Sequence, residues 1–350
     1  MQPNISVILP VHNAESHLVQ CLLSLSKANP PPHEIIVVTD GCTDSSAQSA
    51  QNSGMKVVCL PERKGPAHAR NVGAHFAQGD ILFFVDADVT VPPDTFARIE
   101  KAFKQDPSLT ALFGSYDDEP EERNFLSQYK NLFHHYIHQI SREEASTFWS
   151  GCGAIRREVF LGLGGFNESY RRPSIEDIEL GYRLKQAGYR IRLLKELQVK
   201  HLKRWDISAL LRSDFFDRAL PWTELIVKDR GFINDLNLRF ANRLSVTLTF
   251  GFVAALVGGH WWSGSFAVAG AFALLLILLN MPVYGFFLCK RGLWFMIRTI
   301  PWHWFYYFYS GLAFAIGLGR FFLSRHPSSK LSFSTASKEL SDPAQFPEFH

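Results

Sequence analysis

One short stretch constrains this chain more than any other: the hydrophobic run Ile81-Leu82-Phe83-Phe84-Val85 leads directly into Asp86-Ala87-Asp88. The run has the length and composition of a buried strand. Side chains alternate in an extended chain, so Asp86 and Asp88 are expected to point to the same side. Two carboxylates at the carboxyl end of a strand suit Mg²⁺ or Mn²⁺ carrying a phosphate ester. The alternative interpretation is a strand that ends in a solvated acidic turn.

Strand-like and helix-like segments alternate on the N-terminal side of this stretch. Buried strands are predicted at residues 5–11, 34–38 and 55–60, with helices between them. This alternation predicts an open, mostly parallel α/β sheet with helices on both faces. Ligands bind such sheets at the carboxyl ends of the strands. The polar residues expected to share one crevice there are Asp40, Arg70, Asp86 and Asp88.

Two later segments carry further candidate residues. In Phe148-Trp149-Ser150-Gly151-Cys152-Gly153, small residues flank a large aromatic one, which suits a place where a ligand such as a sugar approaches the backbone closely. A tightly packed strand would show the same pattern. Glu176 and Asp177 open a predicted helix, where acidic residues are also favoured by the helix dipole alone.

Composition and missing motifs exclude several classes of protein. The formal net charge of +3 gives no sign of a nucleic-acid-binding surface. A dehydrogenase is disfavoured because no Gly-x-Gly-x-x-Gly follows the first strand, and a Walker P-loop is absent as well. The five cysteines are dispersed, which is typical of a reducing compartment. The N-terminal residues lack the pattern of a signal peptide, so the first part of the chain is expected to be cytoplasmic.

The C-terminal third has the composition of a membrane region. Apolar runs at residues 244–262, 266–288 and 302–323 each approach the roughly 20 residues that a bilayer requires. The third could instead be re-entrant or interfacial, and an amphipathic segment at 205–230 fits the membrane interface. The predicted domains are a soluble domain at 1–203, an interfacial linker at 204–242, two to three membrane helices at 243–325 and a polar, disordered tail at 326–350.

Taken together and in order, these motifs resemble those of family 2 glycosyltransferases of the GT-A fold. The similarity runs from Ile5 to about His201. Its elements are the first strand with Pro10 and Asn13, the segment Val38-Thr39-Asp40-Gly41-Cys42-Thr43-Asp44-Ser45, the helix opening at Gly65 to Gly73 with Arg70, the Asp86-Ala87-Asp88 motif and the acidic pair Glu176-Asp177.

The resemblance implies an inverting transfer of a sugar from a nucleotide diphosphate sugar to a saccharide or lipid-linked acceptor. Asp88 and Asp86 would hold a divalent metal, Mn²⁺ or Mg²⁺. The residues implied to bind the nucleotide sugar are Pro10, Asn13, Asp40, Arg70 and Asp86. The resemblance makes Asp177, with Glu176 beside it, the catalytic base, and the acceptor contacts would be Trp149, Gly151 and Gly153. The expected location is a membrane, of the bacterial inner-membrane type, with the catalytic domain in the cytoplasm.

Two departures from the family pattern matter. Thr39 stands where the family has the first of two consecutive aspartates. Only Lys203-Arg204-Trp205 corresponds to the Gln-x-x-Arg-Trp signature of processive synthases, which favours addition of a single sugar. Two other classes stay open at this point. A nucleotidyltransferase would need a glycine-rich basic loop after the first strand, and residues 10–13 do not form one. A non-catalytic membrane-anchored binding protein is the other.

Overall fold

The structure, a computed structural model, describes residues 3–229 and 239–323. These residues form two compact units. The first contains residues 3–122 and Arg142–Lys203, and the second contains Arg123–Ser141 together with the described residues after Lys203. The predicted tail at 326–350 and residues 230–238 of the predicted linker lie outside the described residues.

The first unit is built on one sheet of eight strands in the order β3-β2-β1-β4-β7-β6-β8-β5. The strands are β1 (Ile5–Val11), β2 (Glu34–Asp40), β3 (Lys56–Leu60), β4 (Ile81–Val85), β5 (Val89–Thr90), β6 (Leu109–Tyr116), β7 (Cys152–Arg156) and β8 (Arg190–His201). Neighbours β3, β2, β1 and β4 are parallel, whereas β7 is antiparallel to both β4 and β6. The predicted α/β class with a mixed, mostly parallel sheet is confirmed.

Helices cover this sheet. They are α1 (Glu15–Ser26), α2 (Ser46–Asn52), α3 (Pro66–Phe76), α4 (Thr95–Gln105), α6 (Arg157–Gly162) and α7 (Glu176–Gln186). Every side chain of β4 is buried, so both faces of the central strand are covered and the strand reads as a continuous apolar run. On one of these faces, the Phe84 ring packs against the rings of Phe160 and Phe166, with centroids 5.2 and 5.1 Å away.

One helix that is inserted between β6 and β7 belongs to the second unit. This helix, α5 (Phe125–Ile140), lies inside the range predicted as a single domain at 1–203. Its Tyr129 ring stacks on Phe287 at 5.6 Å, and Phe133 contacts Tyr306 at 5.4 Å. The aromatic side chains of α5 therefore find their partners in the C-terminal part of the chain.

The second unit also contains the C-terminal helices. They are α8 (Ile207–Leu211), a π-helical stretch (Arg212–Ala219), α9 (Leu220–Asp229), α10 (Phe240–Gly258), α11 (Ser265–Leu279) and α12 (Met281–Leu323), which breaks at Gly292. A buried polar chain joins several of them: the Tyr129 hydroxyl bonds to Nδ1 of His303 at 2.7 Å, and the Tyr307 hydroxyl to Nε2 of His303 at 3.0 Å. Tyr307 also donates to Asn280 Oδ1 at 2.8 Å.

The apolar runs form helices whose bounds differ from those of the runs. The second run, at residues 266–288, is interrupted at Asn280, where α11 and α12 meet at an angle of 62°. Asn280 Nδ2 donates to the carbonyl of Leu276, which also accepts from the Asn280 amide. Pro282, two residues further on, lacks an amide hydrogen and cannot donate a helical hydrogen bond. By length and composition, α10 could cross a membrane, and the bent pair of α11 and α12 could provide one further span.

The aromatic cluster around Phe84 gives a test of the sheet packing. We expect Phe84→Ala to lower the free energy of unfolding by about 3–5 kcal/mol, because a ring that is completely buried leaves a cavity. Urea denaturation of the full chain in mild detergent measures this change. Val19→Ala, on the exposed face of α1, is the matched control. Equal midpoints for the two variants would contradict the packing described here.

Candidate active site

The carboxyl ends of three adjacent parallel strands bring the polar residues together. Strands β2, β1 and β4 end at Asp40, Val11 and Val85, so the residues that follow them lie along the same edge of the sheet. Strand β7 runs the other way, and its first residue, Cys152, pairs with Val85. The segment just before Cys152 therefore reaches the same edge from the opposite direction.

Arg70, in the second turn of α3, is the centre of this edge. Its Nη2 donates to Asp86 Oδ1 at 2.7 Å and its Nη1 to Glu176 Oε1 at 2.9 Å. Only 4% of the residue is exposed. Burial alone would lower the pKa of Arg70, but the carboxylates of Asp86, Glu176 and Asp177 raise it. The guanidinium thus neutralises acids from two parts of the chain, and its predicted role as a phosphate ligand stays a prediction.

Asp88 faces a histidine that sequence reasoning did not assign to the site. The short strand β5 pairs with the end of β8, which sets His201 Nε2 at 3.5 Å from Asp88 Oδ2. Burial alone would raise the pKa of Asp88, but interactions with His201, including a hydrogen bond, and with Lys203 and His17 lower it to about 2. Asp88 is therefore ionised at neutral pH, as a metal ligand must be.

The residues around Asp88 fit a divalent metal. Among the described residues, no three His, Cys, Asp or Glu side chains are grouped so as to hold a metal by themselves. Mg²⁺ in particular does not require such a cage, because it is commonly held by one or two carboxylates, waters and the phosphates of the substrate. Asp88 and His201 supply one oxygen and one nitrogen donor, a pair suited to Mn²⁺, and the Asp86 carboxylate is about one-third exposed beside them.

The two acids that open α7 have different surroundings. Glu176 is buried, bound to Arg70 and to the backbone amide of Ser174, and burial raises the pKa of its carboxyl group. Asp177 is only half-buried. Its Oδ2 accepts from the amide of Ser150 at 3.1 Å and from the Ser150 hydroxyl at 3.3 Å. The more accessible Asp177 is thus oriented by the segment that precedes β7, while the bond of Glu176 to Arg70 holds the start of α7.

Asp40 lies in the crevice, but its carboxylate is bound by the backbone. The amides of Lys64 and Gly65 donate to its two oxygens at 2.7 and 2.8 Å, so Asp40 fixes the loop before α3. Asn13, at a φ of 48°, accepts a hydrogen bond from the amide of Thr43 at 2.8 Å and so ties the loops after β1 and β2 together. Pro10 is half-buried in β1.

Trp149 and its neighbouring glycines form a packed corner of the site. Trp149 is 8% exposed and meets the ring of Tyr116 edge to face at 4.8 Å. A Cβ atom on Gly151 would lie 2.7 Å from the Trp149 ring, and one on Gly153 would lie 2.5 Å from the Phe148 ring. The space at these glycines is therefore filled by aromatic side chains of the same segment. This packing is what the alternative of a tightly packed strand leads one to expect, and the acceptor contacts of Trp149, Gly151 and Gly153 stay a prediction.

Sequence reasoning missed His201 and Ser150 as parts of the site. His201 was visible only as the end of a predicted strand, and its pairing with the two-residue strand β5 has no sequence signal. Ser150 was read as one of several small residues. Its contact with Asp177 depends on a separation of 27 residues, which periodicity does not report.

Two segments of the sequence match known protein families. Residues 6–164 match the family described as glycosyl transferase family 2, and residues 132–205 match the family described as the N-terminal domain of galactosyltransferase. The family 2 match lies within the N-terminal part of the chain and makes that part similar to glycosyltransferases of this family.

Two relatives from Haemophilus influenzae, both described as uncharacterized glycosyltransferases, share its N-terminal region. The first is 36% identical over 121 residues, which cover 33% of this chain and 47% of that protein. The second is 26% identical over 220 residues, covering 58% of this chain and 71% of that protein. The chain thus spans less than half of the length of the first relative.

The structure of the mannosyltransferase PcManGT from Pyrobaculum calidifontis, in complex with GDP-Man and Mn²⁺, has a similar fold. The TM-score is 0.51 and the sequence identity 18%, and the match covers 93% of this chain and 89% of that one. At this identity the likeness concerns the fold, and the predicted GT-A fold is confirmed.

The buried ion pairs of Arg70 give a testable consequence. We expect Arg70→Met to lower the free energy of unfolding by about 3–5 kcal/mol, because it leaves Asp86 and Glu176 unpaired. Without the guanidinium, the pKa of the buried Glu176 rises further above its value in the unfolded chain. A group with a raised pKa in the folded state loses its stabilising contribution as the pH rises. The loss of unfolding free energy in Arg70→Met, relative to the wild-type protein, should therefore be larger at pH 8 than at pH 5.

Denaturant titrations at the two pH values measure this deficit. Adding Glu176→Gln to Arg70→Met should remove most of the pH dependence. Arg98→Met, which breaks the largely exposed pair of Arg98 with Asp94, is the control and should change stability by less than about 1 kcal/mol. If Arg70→Met lowers the free energy of unfolding no more than the control does, the buried ion pairs are not needed for stability.

Proposed function

We propose that this protein transfers a sugar from a nucleoside diphosphate sugar to a hydroxyl group of a saccharide or lipid-linked acceptor, by a metal-assisted, inverting single displacement. The observation that carries the proposal is the double ion pair of Arg70 with Asp86 and Glu176. Asp86, itself about one-third exposed, is followed two residues later by the partly exposed Asp88, and the buried Glu176 is followed directly by the more accessible Asp177. Arg70 thereby joins the turn that carries the proposed metal ligands to the start of α7, which carries the proposed base.

The donor is proposed to lie along the ends of β1, β2 and β4. Pro10, Asn13 and the turn after Asp40 would border its nucleoside. Asp88, His201 and Asp86 would hold Mn²⁺ or Mg²⁺ against its diphosphate. When bound, the metal stabilises the negative charge that develops on the leaving nucleoside diphosphate. The Mn²⁺ and GDP-Man bound by the structurally similar mannosyltransferase support this assignment.

Asp177 is proposed to be the general base. Its bonds to Ser150 fix the carboxylate without burying it, so an acceptor hydroxyl can reach it. Asp177 takes the proton as the acceptor oxygen attacks the anomeric carbon. The bond from this carbon to the phosphate oxygen breaks, and the oxygen leaves with the electron pair. One displacement from the opposite face inverts the configuration, and no covalent sugar–enzyme bond forms.

A membrane is the proposed location of the acceptor. Several large apolar side chains of the second unit are exposed in the structure, including Val257, Trp261, Trp262 and Phe266 near one end of α10 and α11. Exposed apolar area of this kind is stable when lipid covers it, and tryptophans are common at the membrane interface. We propose that α10 anchors the protein, with the catalytic unit in the cytoplasm of a bacterial-type cell.

The role of Asp177 can be tested directly. Asp177→Asn should reduce transfer by at least about 100-fold, because general base catalysis typically contributes that much or more. The affinity for the nucleotide sugar should stay within about twofold, since Asp177 is assigned to the acceptor side. Screening of nucleotide sugars by radiolabel transfer to membrane lipids or saccharides measures the activity, and calorimetry measures the binding.

Glu158→Gln, at an exposed position of α6, is the matched control and should leave transfer unchanged. Full turnover by Asp177→Asn would refute the assignment of the base. Absence of both binding and transfer for every nucleotide sugar in the wild-type protein would favour a non-catalytic role.

The metal assignment predicts a second result. Chelation with EDTA should abolish transfer, and Mn²⁺ or Mg²⁺ should restore it. His201→Gln should raise the concentration of Mn²⁺ needed for half-maximal activity by about tenfold or more, whereas His33→Gln, at an exposed position, should not. Titrations of activity against Mn²⁺ measure both variants. Full activity in EDTA would show that transfer does not require a divalent metal.

A further inference from the structure

Four exposed cations border the crevice. Arg63 and Lys64 precede α3, and Arg171 and Arg172 lie in the loop before α7. Within residues 3–229 and 239–323, none of the four side chains forms an ion pair or hydrogen bond with another side chain. Four unpaired positive charges on two short segments repel one another unless an anion lies between them.

Two glycines bring these segments close together. Gly41, at a φ of 57°, follows Asp40, and a Cβ atom there would collide with the backbone of Arg63. Gly65 has a φ of 104°, and a Cβ atom there would lie 2.5 Å from the carbonyl oxygen of Arg171 and 2.7 Å from its carbonyl carbon. The backbone of the Arg171 loop therefore lies against Gly65, directly after Lys64. The two basic segments form one continuous rim.

The rim is fixed to the end of β2. Asp40 accepts hydrogen bonds from the amides of Lys64 and Gly65, so the position of the rim follows the position of this strand end. Lys64 is close enough to Glu168 to lower the pKa of its carboxyl group, but the Glu168 carboxylate is bound by His68 Nδ1 and by Asn71 Nδ2, both at 2.8 Å. Glu168 therefore makes no ion pair with the rim, and its oxygens are held by other residues.

The charge of the proposed donor requires cations that Arg70 does not provide. Both Nη atoms of Arg70 are bound by carboxylates, and its Nε is buried without a partner. The diphosphate of the donor carries two negative charges, and a third develops as the sugar leaves, so the nucleoside diphosphate product carries one charge more than a divalent metal neutralises. Arginine and lysine are the usual ligands for phosphate oxygens, arginine with two parallel hydrogen bonds.

We infer that Arg63, Lys64, Arg171 and Arg172 form a phosphate-binding rim for the nucleoside diphosphate part of the donor. The inference rests on the proposed function, because the rim is attached to the strand end where the nucleoside is proposed to lie. The rim has no selectivity for the sugar. It recognises the two phosphates, so it binds the nucleoside diphosphate product as well as the donor.

Calorimetry of the full chain in detergent with Mn²⁺ tests the rim, with UDP and GDP as diphosphate probes and uridine and guanosine as probes without phosphate. The variant Arg171→Ala with Arg172→Ala should bind the diphosphate that the wild-type protein prefers about 10- to 100-fold more weakly, since each charged hydrogen bond is substantial. Its affinity for the corresponding nucleoside should not change. Lys64→Ala should show a smaller loss in the same direction.

Controls separate the rim from general effects of charge. Lys101→Ala with Lys104→Ala removes two exposed cations from α4 and should leave all affinities unchanged. Arg171→Lys with Arg172→Lys should recover part of the diphosphate affinity. The wild-type affinity should fall as salt is added, and the dependence on salt should be weaker in the double alanine variant.

The possible failures are distinguishable. If the wild-type protein binds neither UDP nor GDP, the proposed function fails together with the rim. If it binds one of them and the double alanine variant binds it equally well, only the rim is refuted. The rim would also be refuted if the double alanine variant lost affinity equally for the nucleoside and for the nucleoside diphosphate. A change in acceptor binding alone would refute it as well.

Discussion

The structure of the crevice depends on one buried cation. Arg70 lies between Asp86, at the end of a strand, and Glu176, which is 106 residues away from Arg70 in sequence. Taking three charges out of water is costly, and the cost is offset only when the geometry satisfies each of them. Here two short hydrogen bonds do so, and the ring of Phe166 lies 5.6 Å from the guanidinium carbon. The positions of the turn at Asp86–Asp88 and of the start of α7 are therefore set together.

This arrangement separates structural acids from accessible ones. Glu176 and Asp40 are buried, and both are held by hydrogen bonds from other residues. Asp88 and Asp177 keep part of their surface exposed. Glu176 and Asp177 are neighbours in sequence, yet the fold gives them different environments. The acidic pair at the start of α7 thus combines a buried residue that binds Arg70 with a residue that keeps part of its surface exposed.

Much of the fold followed from local patterns, and much of the site did not. The apolar runs at 5–11 and 81–85 predicted their strands because both faces of a central strand are buried. Asp86 and Asp88 could be placed at the strand end for the same reason. The ion pairs of Arg70, the contact of His201 with Asp88 and the placement of α5 in the second unit all join distant parts of the chain. No periodicity in a single sequence reports such contacts.

The order of strands in the sheet has a consequence for how the protein folds. Strand β4 pairs with β7, although β5, α4, β6 and α5 all come between them in the sequence. During synthesis, one edge of β4 therefore stays unpaired until residues 152–156 have emerged, and α5, part of the other unit, is made in the meantime. Pairings between distant segments form slowly, and unpaired apolar edges promote aggregation. The antiparallel strand that follows Trp149 and Ser150 is thus also the strand that joins β4 to β6.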